Sequence, residues 1–143
     1  AAHLLPVWPA PASWGLESWP RSLFGVGLFL LALGLVRAIQ ALFCLGSSLS
    51  PLPAPKTTNQ LIRTGPYSQC RHPLYRAVLI CSAGVVIATG RLLHLALLIS
   101  LALVLREKAR FEEAGLRQVH ADYDQYAAIT PAIIGVVPGL DWR

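Results

Sequence analysis

The chain has 143 residues, of which 55% are hydrophobic and 13% charged, and its mean hydropathy is +0.54. A soluble domain carries roughly a quarter charged residues, so this composition argues against a water-soluble domain and for an integral membrane protein one domain long. The net charge of +5 comes from twelve Lys and Arg against seven acids. It is not gathered into a nucleic-acid-binding run, and in a membrane chain it reads as a topology signal.

Residues 1–21 hold Pro6, Pro9, Pro11 and Pro20 together with Trp8, Trp14 and Trp19. Prolines interrupt helix, and indoles favour the headgroup level of a bilayer, so this stretch is expected to be an irregular interfacial lead-in. There is no basic segment followed by a continuous apolar one, and no signal peptide is read here. Residues 22–45 form the first expected span. At about 1.5 Å per residue they cross a core of about 30 Å with some tilt. Gly25, Gly27 and Gly34 permit close helix approach. Arg37 and Gln40 lie nearly on one face of this helix. Arg37 either snorkels toward the cytoplasmic side or points into a polar pocket.

Residues 46–72 read as a loop rich in proline, serine and threonine, with a turn at Gly65-Pro66. Pro73 suits the first turn of a helix, where its missing N–H is not needed. The apolar stretch from Pro73 is broken at Gly90-Arg91 and resumes at Leu92. One continuous helix would place Arg91 midway, so a transmembrane hairpin over 73–110 is expected instead. The chain then closes with a polar segment, 111–143. The expected fold is therefore an all-α integral membrane protein, a single domain of about three transmembrane helices.

Lys56, Arg63, Arg71 and Arg76 lie in or beside the 46–72 loop, and Arg106, Lys108, Arg110 and Arg117 follow the last apolar run. Only Arg21 and Arg91 fall on the other side. The positive-inside rule then makes the loop and the C-terminal segment cytoplasmic. The hairpin returns "REKARFEEAGLRQVHADYDQY" to the same face as "LIRTGPYSQCRHPLY". His72 lies 18 residues before Gly90 and Glu113 lies 22 after Arg91. The difference is about one helical turn, roughly 6 Å along the axis. One polar site is expected, with His72 and Tyr75 beside Glu112 and Glu113. Taken alone, the second stretch is a charged helix extension with pairs such as Glu113 and Arg117. Cys44, Cys70 and Cys81 make neither a disulfide framework nor a thiolate zinc site, and no metal-ligand spacing is visible.

The ordered set Gly65-Pro66-Tyr67, Arg71-His72-Pro73-Leu74-Tyr75, Glu112-Glu113 with Leu116, and Tyr123 with Tyr126 resembles the isoprenylcysteine carboxyl methyltransferase and phospholipid methyltransferase superfamily. The resemblance covers roughly residues 56–138. It departs at His120-Ala121, where many relatives have Phe-Gly, and in having one clear span before the motif. The resemblance implies an enzyme that uses S-adenosylmethionine to methylate a lipophilic or lipidated acceptor. Arg71 and Glu113 are then expected to be catalytic. Tyr67, Arg71, His72, Tyr75, Glu112, Glu113 and Tyr126 are expected to bind the cofactor. Membrane lipids are the other expected partner, and neither nucleic acid nor metal is. The protein is expected to be multi-pass, with its site facing the cytoplasm. Two other readings stay open: an NADPH-dependent membrane reductase of the sterol-reductase type, which usually has Asn where this chain has Leu74, and a non-catalytic scaffold of the same fold.

The topology is open to direct test. With the native cysteines replaced, single cysteines at Gln60 and Arg91 are expected to label from opposite sides of the membrane. Labelling from one side would contradict the three-span arrangement.

Overall fold

The structure is a computed structural model, and it describes residues 19–46, 61–135, 137 and 140–142. Four α-helices order the chain: α1 (Arg21–Leu45), α2 (Pro73–Thr89), α3 (Leu92–Val119) and α4 (Tyr123–Ile129). A 3-10 turn at Gly65–Ser68 precedes α2. No strand occurs among the described residues. The expected lead-in up to residue 18 and the loop over 47–60, with Lys56, lie outside them.

Helix α1 is the one described helix long and apolar enough to cross a membrane. Its sides expose Phe24, Phe29, Leu35, Val36, Ile39 and Phe43. An apolar surface of that extent suits lipid rather than water. Helix α2 has 17 residues, about 26 Å of rise, and is apolar but short of a bilayer core. Helix α3 changes character midway: its apolar run from Leu92 ends at Arg106, Glu107 and Lys108, but the helix continues unbroken to Val119. The expected boundary near residue 110 is therefore one of composition and not of backbone. Good helix formers (Glu, Arg, Lys, Ala, Leu) fill the polar half.

Each end of α2 is set by its sequence. Pro73 occupies the first turn, and Gly90 closes the helix in the left-handed conformation with its N–H bonded to the Val86 carbonyl. Gly90 has φ +59°, a conformation glycine adopts without steric penalty. The two-residue link at Gly90-Arg91 reverses the chain, and α3 returns beside α2. The indole of Trp19 packs against Gly90 and donates to the Ile87 carbonyl at 2.7 Å, which fixes the start of α1 to this turn.

Helices α1 and α2 run antiparallel through small residues. A Cβ on Gly27 would meet the Ala88 nitrogen and the Gly84 carbonyl at 2.5 Å, and one on Gly34 would strike the Cys81 sulfur and the Ala77 carbonyl. Cys81 also donates to the Leu31 carbonyl at 3.6 Å. The other core lies between α2 and α3, where Tyr75, Leu105 and Ala109 pack with Ala132, Ile133 and Trp142 from the C-terminal segment. That segment doubles back on itself: the Ala132 N–H bonds to the Asp141 carbonyl, and the Ile133 N–H to the Leu140 carbonyl.

Close packing at Gly34 generates the next prediction. Gly34→Val cannot be accommodated without moving Cys81 and the α2 backbone, and overpacking of this kind destabilises by about 1–3 kcal/mol. Gly25→Val, where a Cβ meets nothing within 4 Å, is expected to leave thermal unfolding in detergent nearly unchanged.

Candidate functional site

The chain leaves the 3-10 turn and enters α2 through Cys70, Arg71 and His72. These three residues do not belong to a helix, so their backbone groups need other partners. The Arg71 N–H bonds to the Pro131 carbonyl at 2.9 Å, and the His72 N–H to the Ala132 carbonyl at 3.1 Å. The C-terminal segment thus holds the entrance to α2 like an added strand and fixes where Arg71 and His72 project.

Both project toward α3. Arg71 Nε donates to Glu113 Oε1 at 2.8 Å, and His72 Nε2 lies 2.8 Å from the same oxygen. A carboxylate oxygen only accepts, so the histidine is the donor and carries its proton on Nε2. The second Glu113 oxygen lies 3.7 Å from Arg117, one turn along α3. Arg71 NH1 donates to the Ala127 and Thr130 carbonyls at 3.1 and 2.7 Å, which ties the end of α4 to the same group. Arg71, His72, Glu113 and Thr130 are all buried. A buried ion pair is tolerated when hydrogen bonds satisfy its remaining donors and acceptors, and here they do.

A second, more open layer lies beside this one. Tyr75, one turn into α2, donates to Glu112 Oε1 at 2.7 Å. The His72 and Tyr75 rings stack with centroids 5.2 Å apart and planes at 4°. His72 Nδ1 lies 4.0 Å from the other Glu112 oxygen, and the Glu112 side chain is 27% exposed. Lys108 sits 3.8 Å from Glu112 Oε1 and 5.4 Å from the centre of the Tyr75 ring. On the far flank Tyr126 donates to the Tyr67 carbonyl at 2.6 Å. Arg63 lies over the Tyr126 ring and pairs with Asp122.

The protonation of these groups follows from their surroundings. Burial pushes the Glu113 carboxyl up, but the hydrogen bonds and charges of His72 and Arg71 outweigh it and hold the carboxyl below the usual glutamate range. Burial, then the neighbouring Cys44, Cys70 and Glu112, push the Tyr67 hydroxyl up to about 12. Burial is also the largest cause raising Tyr123 and Tyr126. These phenols stay protonated across the working pH range.

All seven residues expected at the site therefore gather here, drawn from three separate stretches. His72 and Glu113, 41 residues apart in sequence, are in direct contact. Arg71, His72 and Glu113 bond chiefly to one another and to backbone carbonyls, while Glu112 and Lys108 are the members open to solvent. Four contributors escape a reading of the sequence. Lys108 carries the i,i+4 spacing to Glu112 that could have marked it, as the same spacing marks Arg117 with Glu113. Arg63 pairs across 59 residues, and the Pro131 and Ala132 carbonyls act through the backbone, so neither leaves a local signal.

The profile of the phospholipid methyltransferase family matches residues 22–122. The chain belongs to that family. Its members are membrane-embedded methyltransferases, and the match spans α1 through the whole of α3. Two curated relatives are similar over part of their length. The nickel-cobalt-cadmium resistance protein NccN of Alcaligenes xylosoxydans xylosoxydans is 35% identical over 82 residues, 54% of this chain and 37% of its own. The cobalt-zinc-cadmium resistance protein CzcN of Cupriavidus metallidurans is 36% identical over 78 residues, 54% of this chain and 36% of its own. The chain thus spans little more than a third of the relatives it matches. Among the described residues no group of three or more His, Cys, Asp or Glu side chains is placed to hold a metal ion.

The depressed pKa of Glu113 makes stability depend on pH in a defined direction. Its contribution is complete above the ordinary glutamate pKa of about 4.3 and is lost as pH falls through the lower folded-state value. Glu113→Gln is expected to cost about 3–5 kcal/mol at neutral pH, because it leaves Arg71 buried without its counter-charge. Thermal unfolding of both proteins against pH is expected to show this difference shrinking below about pH 4; a constant difference would contradict the assignment.

Proposed function

We propose that this member of the phospholipid methyltransferase family is an S-adenosylmethionine-dependent methyltransferase acting on a lipophilic or membrane-associated acceptor, with α1, α2 and the apolar half of α3 in the membrane. The observation that carries the reading is the convergence of Arg71, His72 and Tyr75 with Glu112 and Glu113 at the charged end of the α2–α3 pair. The family match and the exposed apolar surface of α1 support it.

The residues present fit the cofactor. Glu112 keeps one carboxylate oxygen for ribose hydroxyls or the cofactor's ammonium, and Lys108 and Arg117 offer cations for its carboxylate. The flat stack of His72 on Tyr75 gives a rigid aromatic wall, and Tyr67 and Tyr126 bound the site on the other side. When bound, the cofactor supplies an activated methyl group on a sulfonium. The residues of this chain then position and exclude water, which is what methyl transfer requires of a protein.

Two roles separate within the motif. Arg71 and Glu113, marked by the resemblance as catalytic, act as positioning residues in this reading: their polar atoms are taken up by each other, by His72 and by backbone carbonyls. Glu112, His72 and Tyr75 present the surface that meets the cofactor. The site lies with Lys108, Arg110 and Arg117, the basic side of the chain, so the donor enters from the cytoplasm and the acceptor laterally from the bilayer.

Calorimetric titration of the detergent-solubilised protein tests this reading. S-adenosylmethionine is expected to bind and NADPH not to; the reverse would favour a reductase, and binding of neither a scaffold. Glu112→Gln is expected to weaken S-adenosylmethionine binding about ten- to a hundredfold, the equivalent of one charge-assisted hydrogen bond. Glu107→Gln, whose carboxylate pairs on the surface with Arg110 at 3.0 Å, is expected to have little effect. Equal effects of the two would contradict the placement of the site.

A further inference from the structure

The segment that carries Arg71 and His72 toward Glu113 turns its other side to a shallow cleft lined by Arg37, Pro66, Gln69, Cys70, Pro73 and Arg76. Two of these six residues are cations and none is an acid. Arg37 comes from α1 and Arg76 from the first turn of α2. The antiparallel register that sets Gly34 against Ala77 and Cys81 carries Arg37 to the level of Arg76, so the pairing of two like charges is built into the helix packing. Arg37 has no hydrogen bond or ion pair among the described residues.

This arrangement is unfavourable as the chain alone presents it. Arg37 lies eight residues inside the end of α1 at Leu45, roughly 12 Å along the axis, where lipid lowers the dielectric and strengthens charge–charge repulsion. Cys70 does not relieve it: burial pushes the thiol up, and the nearby Arg76 only partly offsets this, so the thiol remains neutral. An anion seated between the guanidinium groups would turn the repulsion into two charge-assisted contacts. The Gln69 amide would add a neutral donor. Beside Arg37 on α1, Leu35, Val36 and Ile39 are 54%, 52% and 53% exposed, an apolar flank leading away from the cationic mouth.

We propose that Arg37 and Arg76 form a binding site for the phosphate-type headgroup of an anionic membrane amphiphile, whose tail lies along the exposed flank of α1 and whose headgroup clamps α1 to α2. The site lies on the opposite side of the Cys70–Pro73 segment from Glu112 and Glu113. It is distinct from the methyl-transfer site and does not depend on the chain's transferring a methyl group.

The test uses the full chain in a neutral maltoside detergent, with dodecyl phosphate as the amphiphile and inorganic phosphate as the free anion. Dodecyl phosphate is expected to raise the thermal unfolding midpoint of the unmodified protein, as any ligand selective for the folded state does. In the double variant R37Q/R76Q its affinity is expected to fall about tenfold or more. The ligand-free midpoint of that variant is expected to hold or rise, because like-charge repulsion has been removed. Arg91→Gln, at the opposite end of α2, is expected to bind as the unmodified protein does. Unchanged affinity in R37Q/R76Q, or an equal loss in Arg91→Gln, would overturn the site. Inorganic phosphate binding as tightly as dodecyl phosphate would overturn the amphiphile assignment. If R37Q/R76Q unfolds early, R37K/R76K decides: it keeps both charges and is expected to retain binding within a few fold, and loss of binding there too would overturn the proposal.

Discussion

The described structure depends on the burial of one carboxylate. Glu113 is 5% exposed and accepts from Arg71 and from His72, each at 2.8 Å. A charge so placed requires partners on more than one side, and those partners come from the entrance to α2. Arg71 passes the constraint on through its bonds to the Ala127 and Thr130 carbonyls, which fix the end of α4. Backbone bonds from Arg71 and His72 to Pro131 and Ala132 then bring the C-terminal segment against α2 and α3, where Ile133 and Trp142 complete the core. The helices are held in one register by a polar knot at their charged end.

Much of this was legible in the sequence because punctuation residues mark it. The limits of α1, the start of α2 at Pro73 and its end at Gly90 follow from apolar length, a proline that fits a first turn and a glycine with positive φ. The contact of His72 with Glu113 followed from counting residues either side of the Gly90-Arg91 turn. Other features had no such marker. The polar extension of α3 past Arg106 was expected, but no proline or glycine marks where the helix stops at Val119. The C-terminal segment contributes mainly carbonyl groups, which every residue has, so nothing in "TPAIIG" announces that it holds Arg71 and His72. The roles of Arg71 and Glu113 were also hard to read, because a motif names positions without saying which of them face a ligand and which face each other.

The segment from Cys70 to Arg76 has two faces, and both concern charge. Toward α3 Arg71 meets the acid Glu113 and is neutralised within the protein. Toward α1, Arg76 and Arg37 meet no acid among the described residues. A chain that balances one cluster so completely and leaves the other unbalanced points to a charge supplied from outside on that side. The segment divides accordingly: Arg71 and His72 turn to Glu113, while Cys70, Pro73 and Arg76 line the cleft beside α1.

Transfer of a labelled methyl group tests the central claim most directly. Membranes containing the chain, incubated with S-adenosylmethionine labelled in its methyl group, are predicted to accumulate label in the organic-extractable fraction. Membranes containing a Glu112→Gln, Glu113→Gln double variant of equal abundance are predicted not to. Label that stays in the aqueous phase at the level of membranes lacking the chain, while the protein remains folded, would contradict the account.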